Sequence, residues 1–220
     1  MRVQLQRPFR AVTPTVDGDV LSVLARADVA FTVAQVHELI GDHSLSGVRN
    51  SLRRLVEHGL VTSEKIGLAK TGVITYSLNR RHIVANAVAE IASARTRLLD
   101  AIREQVASWK IPAIYAAMFG SAARGEMRPD SDIDLFVVRP ARVRGDDAVW
   151  AAQLYRLTDD VSAWTGNDAR VLEYGTADLK RGLTAGERVL KDIRKDGIAL
   201  YGQIGATQWA ELGRATRRSA

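Results

Sequence analysis

Between residues 114 and 138 an apolar run, Ile114 to Phe119, ends at Gly120-Ser121, and a short polar segment leads into a second apolar run in which Asp132 and Asp134 alternate with Ile133 and Leu135. Short apolar runs bounded by turn residues read as strands. Residues i and i+2 of a strand share a face, so Asp132 and Asp134 project together while Ile133 and Leu135 lie on the opposite, buried face. The chain then keeps alternating. A helix is expected over about 147–164, a strand over 169–174, and further helical stretches from Ala177 onward. Strands alternating with helices make this half a mixed α/β domain.

The first half reads differently. Val20, Leu21, Val23 and Leu24 fit a short helix. Thr32 and Gln35 form a capping-box pattern, Phe31 is placed to staple onto Val36, and Gly41 suits the residue that ends that helix. Ser44 is a candidate N-cap for a third helix, whose Leu45, Val48, Leu52, Leu55 and Val56 repeat as one apolar stripe. Leu60 to Thr62 and Val73 to Tyr76 read as two strands. Three short helices and a β-hairpin follow the winged helix-turn-helix plan. Residues 83–106 carry apolar positions at helical spacing without Gly or Pro, which predicts one long connecting helix. The expected organisation is α+β: a winged helix-turn-helix domain over 1–80, a connecting helix over 81–109, and a small mixed α/β domain over 110–220.

Composition narrows the chemistry. With no cysteine among 220 residues, disulfides, thiolate metal sites and thiol nucleophiles are excluded. No run is long enough to span a bilayer, and no apolar segment follows the basic start as in a signal peptide, so no membrane partner and a cytoplasmic location are expected. Residues 1–110 hold 15 basic and 10 acidic side chains, whereas 111–220 hold 16 and 15, so the +6 net charge sits mainly in the first half. That asymmetry suits a nucleic-acid-binding module beside another domain.

Two carboxylates held side by side repel each other and resist desolvation unless a cation neutralises them. A hard divalent cation, Mg2+ or Mn2+, does so and shares its shell with substrate phosphates. Gly120 lets backbone approach a polyphosphate, the Ser121 hydroxyl can bind its oxygens, and Arg124 adds a cation for developing charge. Phosphoryl and nucleotidyl transfer require chiefly positioning and charge neutralisation. No G-x-G-x-x-G or Walker A pattern is present.

Gly120-Ser121, Arg124-Gly125 and Ser131-Asp132-Ile133-Asp134-Leu135, with ten residues between Ser121 and Asp132, resemble the signature of the DNA polymerase β-like nucleotidyltransferase superfamily, its minimal nucleotidyltransferases above all. The stretch Lys195 to Gly202 is similar to how such domains finish. Over about residues 110–203 the resemblance implies a small mixed sheet flanked by helices. It implies that Asp132 and Asp134 bind metal and a nucleoside triphosphate, with Gly120, Ser121, Arg124 and Ser131 on the nucleotide. It also implies a third carboxylate on a later strand. The aligned position falls at Arg170 or Leu172, with Asp168 before the strand and Glu173 on its other face. The resemblance suggests a toxin of the HEPN class as a partner, which would make the chain an antitoxin.

Two functional readings follow. In the first, the chain is an enzyme moving a nucleoside monophosphate from a nucleoside triphosphate to a hydroxyl acceptor on a protein, an RNA or a small molecule. In the second, it is a duplex-DNA-bound regulator that senses a nucleotide without catalysis. On the third helix Ser46, Arg49, Asn50 and Arg53 are placed to reach bases and phosphates, with Lys65 and Lys70 near the hairpin tip. The same face would also suit a protein contact. The long helix would pack on the winged helix-turn-helix domain, on a partner subunit of a homodimer, or on both. The four histidines show no metal-ligand spacing and read as solvated or capping residues, and the four tryptophans as packing residues.

Overall fold

The computed structural model describes residues 2–67, 72–204 and 209, and the chain divides between Arg95 and Thr96 into two compact units, with Arg2 belonging to the second. Among the described residues no helix is long and apolar enough to cross a membrane.

In the first unit, α1 (Val16–Ala25), α2 (Val33–Ile40) and α3 (Leu45–Glu57) are followed by β2 (Val61–Ile66) and β3 (Val73–Leu78), an antiparallel pair that β1 (Phe31–Thr32) extends on the β3 side. Local chemistry sets the helix ends. The Thr32 hydroxyl accepts the Gln35 N–H while the Gln35 side chain accepts the Thr32 N–H, and Ser44 accepts the Gly47 N–H. The core gathers Val20, Leu24, Val36, Val48 and Leu52, all at full burial, from three helices. Burying the Val48–Ser51–Leu52–Leu55 stripe of α3 leaves Ser46, Arg49, Asn50 and Arg53 on its exposed side. Ser51, fully buried, donates to Asp17 of α1, which Arg54 also grips.

The single helix expected over 83–106 is instead two, α4 (Ala85–Ala92) and α5 (Ala94–Ala107). Ser93 interrupts the helix: its backbone leaves helical geometry at φ −85°, ψ 3°, and its hydroxyl bonds back to the Glu90 carbonyl. A hydroxyl that competes for main-chain acceptors favours such breaks. Val88 and Ala92 of α4 pack into the first unit, whereas Leu98, Ile102 and Val106 of α5 are the buried residues of the helix that opens the second. The expected connector is therefore divided between the two.

The second unit is built on a four-stranded sheet of order β6-β5-β4-β7, from β4 (Tyr115–Phe119), β5 (Ile133–Arg139), β6 (Ala169–Gly175) and β7 (Ile198–Tyr201). β4 runs antiparallel to both neighbours, whereas β5 and β6 are parallel, joined by α7 (Ala148–Thr165). α6 (Gly120–Arg124), α8 (Thr176–Ala185) and α9 (Arg188–Asp196) complete the unit. On one face Tyr115, Ala117, Phe136 and Val138 pack with Leu179, Leu190, Ile193 and Trp209. On the other, the Trp150 indole of α7 donates to Glu173. Covering both faces explains why β5 reads as an almost continuous apolar run. Of its residues only Asp134 and Arg139 escape burial. Two elements of this unit escaped the sequence reading, β7 and α6, each five residues or fewer. Trp164, expected to pack, is half exposed.

Candidate active site

Strand register assembles the site. Phe119, the last residue of β4, pairs with Asp134 of β5, and the chain turns at once into Gly120. Gly120 adopts φ +69°, a left-handed conformation that side chains disfavour, and a Cβ there would lie 2.4 Å from Asp134 Oδ2. Glycine is thus required twice, for the turn and for the room the carboxylate occupies. Ser121 is half-buried at the start of α6, whose two alanines are buried beneath it. The α6 helix ends at Gly125, also left-handed at φ +73°.

Asp132, immediately before β5, and Asp134 within it lie on either side of buried Ile133. Burial raises the Asp134 carboxyl above the ordinary aspartate value, and the neighbouring Asp132 charge raises it further, while Arg170 and Arg124 pull it back. A carboxylate in that condition is short of positive charge. Asp132 is held by Arg170, whose Nη1 stands 3.0 Å from Asp132 Oδ2. The loop before Asp132 is fixed from below: buried Asn167 donates to the Ser131 carbonyl at 2.9 Å, and the Ser131 hydroxyl accepts the Arg128 N–H at 2.8 Å. Ser131 therefore shapes the turn that delivers Asp132.

Arg124 is exposed and held by Glu126, Nε to Oε2 at 2.8 Å, with Asp196 and Asp192 of α9 adding to the negative surroundings. It stays close enough to lower the Asp134 carboxyl. Neither weak candidate for a third carboxylate joins the pair. Glu173 lies on the opposite face, 2.6 Å from Arg139 Nε and 2.9 Å from Trp150 Nε1. Asp168 pairs at 2.9 Å with Arg2, and its carbonyl accepts the Ile133 N–H. The strand position facing Asp134 is Arg170. Among the described residues no group of three or more His, Asp or Glu side chains is arranged to hold a metal. Two neighbouring carboxylates are the oxygen donors that a hard cation takes when it completes its shell from a ligand.

Sequence reasoning missed Asn167 and the charge role of Arg170. Gly166-Asn167 after a helix is a visible turn signal, but only the tertiary fold shows what the amide holds. The other sequence-derived residues lie on the first unit. Ser46, Arg49, Asn50 and Arg53 are all exposed on α3, with Arg53 Nε 3.8 Å from Glu57. Lys65 is exposed on β2, opposite Ile74, with its aliphatic stem over Gly72. Lys70 lies outside the described residues.

Residues 99–174, from α5 through the end of β6, match the family model of the nucleotidyltransferase domain. That stretch of the chain is therefore similar to a nucleotidyltransferase domain. The match includes Gly120, Ser121, Asp132, Asp134 and Arg170 and covers 76 of 220 residues. Similar solved structures include a toxin–antitoxin crystallised with AMP-PNP, at 16% identity and TM-score 0.37, covering 52% of this chain and 80% of that one. A mutant of the toxin–antitoxin MntA-HpeT is similar at 14% identity and TM-score 0.36, again covering 52% and 80%. A candidate nucleotidyltransferase from Sulfolobus solfataricus shares 22% identity at TM-score 0.29, covering 50% of this chain and 86% of that one. No curated protein matches the chain.

Proposed function

We propose that the nucleotidyltransferase domain binds a nucleoside triphosphate with one divalent cation, Mg2+ or Mn2+, and transfers the nucleoside monophosphate to a hydroxyl acceptor. The observation that carries this reading is the meeting of Gly120 with Asp134: a glycine-only turn set against a half-buried carboxylate that the neighbouring Asp132 repels. Asp132 and Asp134 would hold the cation, which when bound neutralises the polyphosphate and the charge that builds up on the leaving pyrophosphate. The turn at Gly120 would bring backbone N–H groups to the phosphate oxygens, Ser121 would donate its hydroxyl to them, and Arg124 stands at the end of α6 as a further cation. Ser131 and Asn167 keep Asp132 in place. Incubation with Mg2+ and each α-labelled nucleoside triphosphate, with total RNA and cell lysate as acceptors, tests this. Label should pass to an acceptor with the wild type and not with Asp132→Asn/Asp134→Asn. Equal labelling by the two proteins excludes the site.

A second reading is favoured by Arg170, a cation where a third carboxylate would assist the attacking hydroxyl. It makes the domain a nucleotide sensor coupled to a winged helix that binds duplex DNA through α3. The exposed Ser46, Arg49, Asn50 and Arg53 support that DNA contact. Salt-dependent duplex binding tests it: Arg49→Ala and Arg53→Ala should each lower the log–log salt slope by about one. Unaltered slopes would remove α3 from the interface. Nucleotide bound without any transfer of label, together with an effect of nucleotide on duplex affinity, favours the sensor over the enzyme.

A further inference from the structure

Arg170 owes its place to the backbone. It pairs with Asp134 across the parallel β5–β6 ladder, so its side chain leaves the sheet on the face of the two carboxylates. Its head group lies 3.0 Å from Asp132 while remaining 69% exposed, against 22% for Asp132. A long side chain with its charged end in water changes rotamer without unpacking a core. The less exposed carboxylate, once released, needs another cation.

A divalent cation entering beside Asp134 therefore competes with a guanidinium for an Asp132 oxygen and meets a like charge there. Metal alone is disfavoured. A triphosphate changes the balance, because its oxygens accept the displaced guanidinium in the fork geometry that arginine offers phosphates. Each ligand then removes an obstacle to the other, and such coupling is reciprocal. We infer that Arg170 makes occupation of the Asp132–Asp134 site by a divalent cation conditional on a nucleoside triphosphate, holding Asp132 while the site is empty and moving to phosphate oxygens when it fills. This rests on the reading of Asp132 and Asp134 as the cation and nucleotide site, and adds to it the order in which the site accepts its ligands.

The test titrates Mn2+ into the full chain, following free Mn2+ by paramagnetic resonance, with and without adenosine or guanosine triphosphate analogues that cannot be cleaved between the α and β phosphorus atoms. The wild type should bind Mn2+ weakly alone and far more tightly with an analogue. Arg170→Gln, neutral and still polar, should bind Mn2+ alone about tenfold more tightly. It should also bind the analogue less tightly in the presence of Mn2+, so that the coupling shrinks. Arg170→Lys keeps the charge and should stay near wild type for Mn2+ alone. Unchanged Mn2+ affinity in Arg170→Gln, or undiminished analogue affinity, overturns the inference while leaving a working site. If the wild type and Asp132→Asn/Asp134→Asn take up Mn2+ and analogue identically, the site itself is wrong and the inference falls with it.

Discussion

Two glycines five residues apart separate conformational need from spatial need. Gly120 and Gly125 are both left-handed, but a Cβ at Gly120 meets the Asp134 carboxylate whereas one at Gly125 meets nothing within 4 Å. Gly125→Ala should cost about 1 kcal/mol of stability through backbone strain and leave nucleotide binding near wild type. Gly120→Ala carries the same strain and also pushes Asp134 away, so nucleotide affinity should fall at least about tenfold. Thermal melts and nucleotide titration on both variants decide this, and equal nucleotide affinity in the two would show that the Asp134 contact is unimportant. At this scale the sequence was informative about identity and poor about partners. That Asp132 and Asp134 project together was legible because strand alternation fixes which side chains share a face. The engagement of Arg170 with Asp132 was not, because it depends on the register between two strands separated by an eighteen-residue helix. For the same reason the hydrogen bond from the Arg128 N–H to the Ser131 hydroxyl, in the turn before Asp132, was not legible.

The helices of the first unit depend on one polar tie that no periodicity reveals. Asp17 of α1 accepts from Ser51 and Arg54 of α3. Burial pushes its carboxyl up, but the hydrogen bonds from Arg54 and Ser51 and the nearby positive charge outweigh that and hold it below the ordinary value of 3.8. A carboxyl depressed in the folded state contributes stability above its unfolded value, and that contribution is lost as pH falls below 3.8 through the lower folded value. Asp17→Asn should therefore destabilise the first unit at neutral pH, with the difference from wild type closing on acidification through that window. Urea melts at neutral and at acid pH read this, and a gap that widens in acid would contradict the assignment. Helix starts were legible in the sequence, since Thr32, Gln35 and Ser44 act through neighbours three residues away. The break at Ser93 was not, because the apolar spacing continues across it and only packing decides which helix belongs to which unit.

For the molecule as a whole, the division between Arg95 and Thr96 predicts that ligand binding is felt unequally. Mg2+ with a nucleoside triphosphate at about a hundred times its dissociation constant stabilises the state that binds it by about 2.7 kcal/mol. Amides of β4, α6 and β5 should gain hydrogen-exchange protection of that order, while those of α1 to α3 stay as they were. Equal protection in both units would mean that they unfold together. The same division bears on how the chain is made. The contacts of the first unit lie within residues 3–95, so it can fold while the rest is still being synthesised. β4, which delivers Gly120, has β5 beside it early but finds its other neighbour only when Ile198–Tyr201 appears. The turn that sets Gly120 against Asp134 thus sits on a strand flanked on both sides only near the end of synthesis. Ribosomes that stall between residues 140 and 197 would carry a nascent chain with a finished first unit and an unfinished second one.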